Sequence, residues 1–465
     1  MTTAPHSLQG RSHAVVIGAS VTGLSTARVL ADHFERVTVL DQDALPDSPV
    51  PRRGVPQASH VHNLMARGCQ IFERLFPGLI AELESHGALT FDYGENTRIL
   101  FQGQLLPRFR SGVRSVASSR ALLEWCLQGR LRALPQLTVR TGTSVSRLQG
   151  ERGGRIRGVV LKEGASTDTE QVLEADLVVD ASGRGSHAPQ WLQALGRALP
   201  PEQLIRPGLA YATRWYRVPP NRQVERLGDW VIIGTSPEFP ARPYSGAVCR
   251  VEGEQMIVTL LGAGNHPMPT DDTDFLALAR ELPLPAIAEL IQDAEPLSPI
   301  HTFRGARNRW RHYERVAHWP EGFVVLGDAA CVFNPAYGQG MTVAGLSALL
   351  LDACLREDGA GMCHTFQKRL AELHQVPWGM VRGDDTLWEL GDKATWVQRL
   401  TSQVQRQLVG SLFFSEAGTR RFLEVMHMLR TPESMLDREG LVQVGRGVVN
   451  RLARRLPPSL RPAWL

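Results

Sequence analysis

Two small residues, a serine and an acid near the amino terminus raise the first chemical question. The stretch VVIGASVTGLSTARVL begins at Val15 and carries Gly18, Ser20 and Gly23. It has the spacing of the G-x-G-x-x-G turn that seats a pyrophosphate at a helix N-terminus, with serine at the middle glycine. Gly18 ends a strand and permits the tight turn, and Gly23 lets the following helix close on the sheet. The middle position needs only a side chain small enough for backbone to approach phosphate, which Ser20 satisfies. Asp41 closes the next strand, 23 positions after Gly18, where an acid binds a ribose diol. These residues predict a site for the ADP portion of a dinucleotide and leave NAD and FAD both open.

A second set lies far downstream. In FVVLGDAACVFNPAYGQGMTVAGLSALLLDACL a strand runs to Gly327 and Asp328, a loop rich in Gly and Pro follows, and a helix begins near Gly340. Asp328 suits hydrogen bonding to a polyol such as ribityl. The backbone N–H groups of Gly340 and Met341, with the helix dipole, suit negative charge on a reduced flavin ring. Asn334, Pro335 and Tyr337, in the loop nearest that ring, are the candidate reacting edge. His60 and His62 alternate as two ligands on one strand would, yet no cysteine or carboxylate joins them at ligand spacing, so no metal is expected.

The amino-terminal turn, the Gly327-Asp328 pair and NPAYGQGM together resemble FAD-dependent monooxygenases of the aromatic-hydroxylase fold. RRGVPQASHVHNLMARG and RWRHYERVAHWPEGFVVLGDAACVFNPAYGQGM narrow the resemblance to the branch of polyether-type olefin epoxidases and related tailoring oxygenases of secondary metabolism; it covers roughly residues 13–355. The resemblance implies FAD as the cofactor. Gly18, Ser20, Gly23 and Asp41 would hold its ADP half, Arg53 would join the cofactor set, and Arg120 would reach the pyrophosphate or ribityl. Val145 would lie by the adenine, Asp328 on the ribityl chain, and Gly340 and Met341 beside the ring. The implied reaction is epoxidation or hydroxylation, through a flavin hydroperoxide, of a mostly apolar polyketide, terpenoid or aromatic intermediate. The alternatives are a flavin-dependent reductase or oxidase of a prenyl or polyketide substrate, and a non-catalytic FAD-binding protein. One departure bears on the electron source: VVDASGRGS has Ala181 after Asp180, where single-component members carry Asp-Gly. With no second G-x-G-x-x-G unit, electrons come from NAD(P)H directly or from a partner flavin reductase. Halogenases of this fold carry an early lysine and a W-x-W-x-I-P segment; here the first lysine is Lys162 and the segment is missing.

The elements that must position these residues predict a mixed α/β chain. Its plan is an interrupted Rossmann-like FAD-binding lobe, an inserted antiparallel-sheet substrate lobe and a helical C-terminal region. HAVVIG and RVTVLD read as buried strands around a helix with Leu24, Ala27 and Ala31 on one face. LAYATRWYRV, DWVIIGTS, SGAVCRVE and QMIVTLLG read as strands separated by turns. The expected divisions are 1–195 and 299–357 for the FAD lobe, 196–298 for the substrate lobe and 358–465 for the helices. Tyr211, Trp215 and Trp230 are expected on the pocket wall.

Composition bounds the rest. The 465 residues are 43% hydrophobic and 21% charged, as in an ordinary soluble enzyme, and a net charge of +4 gives no electrostatic footprint for nucleic acid. Six cysteines without a C-x-x-C pair suit a reducing compartment. MTTAPHSLQGRSH lacks an apolar core and no run approaches the ~18 apolar residues of a membrane span, so a cytoplasmic location is expected and membrane association is not. The basic tail RGVVNRLARRLPPSLRP reads as a surface helix. The expected partners are a small apolar substrate, molecular oxygen and the flavin reductase.

Overall fold

A five-stranded parallel sheet carries the glycine turn. The structure, a computed structural model, describes residues 11–163, 170–220, 228–357 and 359–453. The strands lie in the order Phe323–Val325, Leu177–Asp180, His13–Ile17, Arg36–Leu40, Leu137–Arg140. Val15 pairs with both Val178 and Thr38, and Val179 pairs with Val324. The strand at Phe323 thus rejoins the sheet begun at His13, as the sequence predicts. Near-continuous Val, Ile and Leu suit strands covered on both faces. Helices Val21–Leu30 and Gly340–Glu357 pack on each other and bury Leu24, Ala27, Ala348 and Leu351 in the same core as the strands.

The second sheet has eight strands. From one edge they are Cys331–Val332, His301–Arg311, Glu202–Arg217, Gln255–Gly262, Tyr244–Val251, Ile232–Thr235, Thr97–Phe101 and Gln104–Leu105. It is antiparallel apart from the Ile232–Thr235 and Thr97–Phe101 pair. This sheet is not confined to 196–298: strands from before and after that interval complete both sides. The reason is unpaired edges. The 16-residue strand Glu202–Arg217 outruns Gln255–Gly262 and needs His301–Arg311 along its other side, while Ile232–Thr235 is capped by the hairpin from Thr97.

Strand alternation divides the faces of this sheet. Ala210, Ala212, Val258 and Leu260 pack against Phe275, Leu278 and Ile287 from helices Asp272–Glu281 and Ala286–Ile291. Leu209, Tyr211 and Leu261 point the other way, toward Trp388 of helix Met362–Leu390. Trp230 is fully buried with the first group, and the indole of Trp215 donates to the Ser59 carbonyl at 3.0 Å. Of the three aromatics expected on the pocket wall, Tyr211 alone lies on it. Beyond Met362–Leu390 follow helices Trp396–Leu412, Glu416–Met426 and Arg438–Ala453. No described helix is long and apolar enough to cross a membrane.

Candidate functional site

One continuous cavity of about 1690 Å³ runs from the glycine turn to the aromatic face of the second sheet. A drug-sized ligand pocket measures about 300–1,000 Å³, so this space suits a cofactor and a second molecule together. Gly18, Ser20, Asp41, Arg120, Val145, Asp328, Asn334, Pro335, Tyr337, Gly340 and Met341 all line it. Gly23 does not, because it packs the helix on the turn: a Cβ there would stand 1.8 Å from the Gly18 carbonyl oxygen. Arg53 is exposed and lies outside the lining; its neighbour Arg52 turns inward instead. The Arg52 guanidinium reaches Asp41 at 3.2 Å and Asp43 at 3.3 Å, and donates to the Ala19 carbonyl at 3.0 Å. Two acids on the inner side of the loop select which of the adjacent arginines is buried.

The turn itself fits a pyrophosphate. Gly18 has φ +103° and a Cβ there would meet the Ala181 carbonyl oxygen at 2.6 Å, so only glycine sits without strain. Ser20 caps helix Val21–Leu30 without a side-chain cap bond, and no acid occupies the first turn, leaving that helix end open to an anion. The Ser20 hydroxyl is engaged elsewhere: it donates to Glu124 at 2.7 Å and accepts from Arg120 at 2.9 Å. Burial would raise the Glu124 carboxyl, but Arg120, Arg52 and this hydroxyl together pull it below the ordinary carboxylate range. Asp41 accepts the Ala19 N–H at 2.7 Å and the Asp43 N–H at 2.9 Å.

Midway along the cavity the strand Phe323–Val325 gives way to Asp328, and the loop that follows leads to the N-terminus of helix Gly340–Glu357. Nothing lies within 4 Å of a Cβ built on Gly340. The buried Gln339 Oε1 and Thr342 Oγ1 beside it have no hydrogen-bond partner. Neither residue lines the cavity; the open space at Gly340 and the helix N-terminus fit a polar ring system that carries negative charge. Arg184 lies 3.6 Å from Asp328 and its guanidinium stands over the Phe303 ring.

The loop is anchored from its far side. The Asn334 side-chain carbonyl accepts the Tyr211 hydroxyl at 2.9 Å and the Ala336 N–H at 3.0 Å. Its amide donates to both oxygens of Asp385, and Asn308 donates to the same carboxylate at 2.6 Å. Tyr337 adds a longer contact at 3.4 Å. Burial pushes the Asp385 carboxyl up to about 6, against the pull of the two amides. His60 and His62 also line the cavity. Burial lowers both to about 4, with Arg120 adding to the effect at His62. His60 shares a hydrogen bond with Thr213 at 2.7 Å and leans toward Tyr211 and Phe303. Tyr93, Phe101, Trp388, Phe422 and Met426 complete a mostly apolar chamber.

Sequence reading missed Arg52, Glu124, Arg184 and Asp385. Glu124 follows Arg120 by four residues, an i,i+4 pair that the helix pattern could have flagged. Asp180, ahead of the unusual Ala181, is fully buried and accepts from Ser182 and Ser186, a fixed end to its strand. Away from the cavity, ligand atoms of Glu82, His86 and Cys126 lie within 4.8 Å of one another. Arg130 already pairs with Glu82, and burial pushes the Cys126 thiol up to about 12.

No protein-family model matches the chain. Over 370 residues, 76% of this chain and 74% of the other, it is 36% identical to Protein Rv3254 of Mycobacterium tuberculosis. It is 26% identical to kynurenine 3-monooxygenase of Salinispora tropica over 377 residues, 74% of this chain and 73% of that one. The structure superposes on that of PqsL, a probable FAD-dependent monooxygenase from Pseudomonas aeruginosa, with a TM-score of 0.60 at 17% identity, covering 81% of this chain and 97% of PqsL.

Proposed function

We propose that this chain, which belongs to the family of Protein Rv3254 and has the fold of the FAD-dependent monooxygenases, inserts one atom of dioxygen into a mostly apolar substrate. The observation that carries this reading is the single cavity joining an ADP-type turn to an aromatic chamber, with a helix N-terminus and the Asn334–Gly338 loop between them. FAD, when bound and reduced, supplies the electrons that activate dioxygen.

The protein's own part is binding, orientation and exclusion of water. The open N-terminus of Val21–Leu30 and the cationic side chains of Arg52 and Arg120 receive the pyrophosphate, and Asp41 the ribose. Asp328 accepts hydrogen bonds from the ribityl chain. The N–H groups of Gly340 and Met341 stabilise negative charge on the ring. Tyr211, Phe303 and Trp388 form an apolar wall that orients an electron-rich alkene or arene, and the loop held by Asn334 keeps water from the reacting edge. No nucleophile is required of the protein. The substrate is read as a polyketide, terpenoid or aromatic intermediate, epoxidised or hydroxylated. Electrons arrive from NAD(P)H or through a partner flavin reductase.

The test is turnover under labelled dioxygen, with the flavin identified after denaturation. FAD in the denatured supernatant and label in the product are expected. A flavin that cycles while no product carries label would make the protein an oxidase or a reductase.

A further inference from the structure

The C-terminal helices hold a feature that the proposed activity does not use. Among the described residues, eleven of the sixteen exposed large hydrophobic side chains fall between Trp396 and Leu452. On helix Trp396–Leu412 they are Trp396, Val397, Leu400, Val404 and Leu408, a spacing that puts them on one face. On helix Arg438–Ala453 they are Leu441, Val442, Val448, Val449 and Leu452, again on one face. The two helices lie against each other: a Cβ on Gly447 would stand 1.8 Å from the Ser411 carbonyl oxygen, and Arg451 donates to Gln407. Their apolar stripes therefore belong to one region of the surface. A soluble monomer rarely leaves such stripes uncovered.

Charge selects the occupant. The second helix carries Arg438, Arg446 and Arg451 against the single acid Glu439; the first has no acid, and its Arg399 and Arg406 are held inward on the carbonyls of Gly391 and Phe239. An apolar stripe flanked by Arg438, Arg446 and Arg451, beside a second stripe with Trp396 on a helix without acids, matches the headgroup zone of an anionic bilayer. With no described helix able to span a membrane, these helices would lie on the surface. We infer that helices Trp396–Leu412 and Arg438–Ala453 form a docking face for an anionic lipid bilayer. Thr401, Gln405 and Val409 of the same first helix face the cavity wall, with Val397 at the boundary between that wall and the stripe, so the docked face adjoins the chamber; delivery of an apolar substrate from lipid rests on the proposed activity, whereas docking does not. The basic tail read as a surface helix falls partly here, and its residues beyond 453 lie outside the described ones.

The experiment is sedimentation of the full chain with vesicles of phosphatidylcholine alone and of phosphatidylcholine mixed with phosphatidylglycerol, at low and high salt. Binding to the mixed vesicles, weakened by salt, is expected. The double variant Leu400→Gln/Val404→Gln, neither residue lining the cavity, should lower bound protein at least about tenfold while retaining FAD and the melting temperature. A variant Arg438→Gln/Arg446→Gln should lose the preference for anionic lipid. The inference is overturned if wild type ignores both vesicles. It is equally overturned if size-exclusion chromatography shows a dimer that the Leu400/Val404 variant splits without any change in vesicle binding.

Discussion

Asn334 and Asp385 stand 51 residues apart in the chain, and the amide of one donates to both carboxylate oxygens of the other, at 3.2 and 3.1 Å. Through this contact a buried acid on helix Met362–Leu390 holds the loop at the middle of the cavity. Because burial raises the Asp385 carboxyl to about 6, the folded chain binds its proton more tightly than the unfolded chain. Its contribution to stability is fully present below the unfolded value near 4 and is lost as pH rises to about 6, an effect of about 3 kcal/mol. Asp385→Asn should remove that part of the pH dependence. Melting temperatures of both proteins across this window check it: the variant should lose less stability than wild type on going from acid to neutral. Parallel curves would mean that Asp385 titrates normally.

The serine in the glycine turn is tied to Arg120 and Glu124 by its hydroxyl. Ser20→Gly, harmless if only size mattered at that position, removes an internal hydrogen bond to a charged group, worth about 1.5–3 kcal/mol of stability, and should lower flavin retention by loosening Arg120 and Glu124. Gly18→Val should abolish binding, since the side chain meets the Ala181 carbonyl. Flavin retained after gel filtration separates the two, and full occupancy in Ser20→Gly would show that the network does not support the cofactor.

Asp328 and Tyr337 should fail differently. Asp328→Ala removes a charged acceptor and should cost FAD affinity by roughly 1.5–3 kcal/mol. Tyr337→Ala should keep FAD and continue to consume oxygen, releasing more hydrogen peroxide per product as water enters. The ratio of peroxide to product, measured in both variants at saturating FAD, is the check.

Two buried histidines, His374 and His427, are lowered by burial to about 3. The unfolded chain takes up their protons near pH 6.5 while the folded chain does not, so each removes stability as pH falls from there, by about 3 kcal/mol per group by pH 4.5. His427 accepts the Ala66 N–H at 3.1 Å, so His427→Gln retains an acceptor at that position without the proton affinity. The variant should lose less stability than wild type on acidification. An unchanged acid slope in thermal unfolding would place the liability elsewhere.

What could be read from sequence was local. The glycine turn, the strand Phe323–Val325 that leads into Asp328 and the helix beginning at Gly340 are each encoded within one strand–turn–helix, and all meet at the cavity. The choice of Arg52 over Arg53 was not legible, because adjacent arginines in a loop are distinguished only by Asp41 and Asp43 folding against them. Trp230, just ahead of strand Ile232–Thr235, and Tyr211 pack on opposite sides of the sheet, a division set by which distant helices fold against each side. Asp385 had no local motif at all; its role comes from a helix packing across the loop. The hairpin Thr97–Leu105 did leave a signal, a Gln102-Gly103 turn with both residues at positive φ, but its sheet partner lies more than a hundred residues later.

The parallel sheet is closed by Phe323–Val325, which binds along Leu177–Asp180 only after roughly 140 further residues have been made. At bacterial or eukaryotic elongation rates of about 5–20 residues per second, that edge stays bare on the ribosome for roughly 7–30 s. A nascent chain in that interval presents Leu-Val-Val as an open template for pairing with its neighbours. Yield in a heterologous host should therefore depend on translation speed through residues 180–325 and on chaperone supply more than on the melting temperature of the finished protein. A circular permutant that places Phe323–Val325 ahead of His13 would shorten the wait.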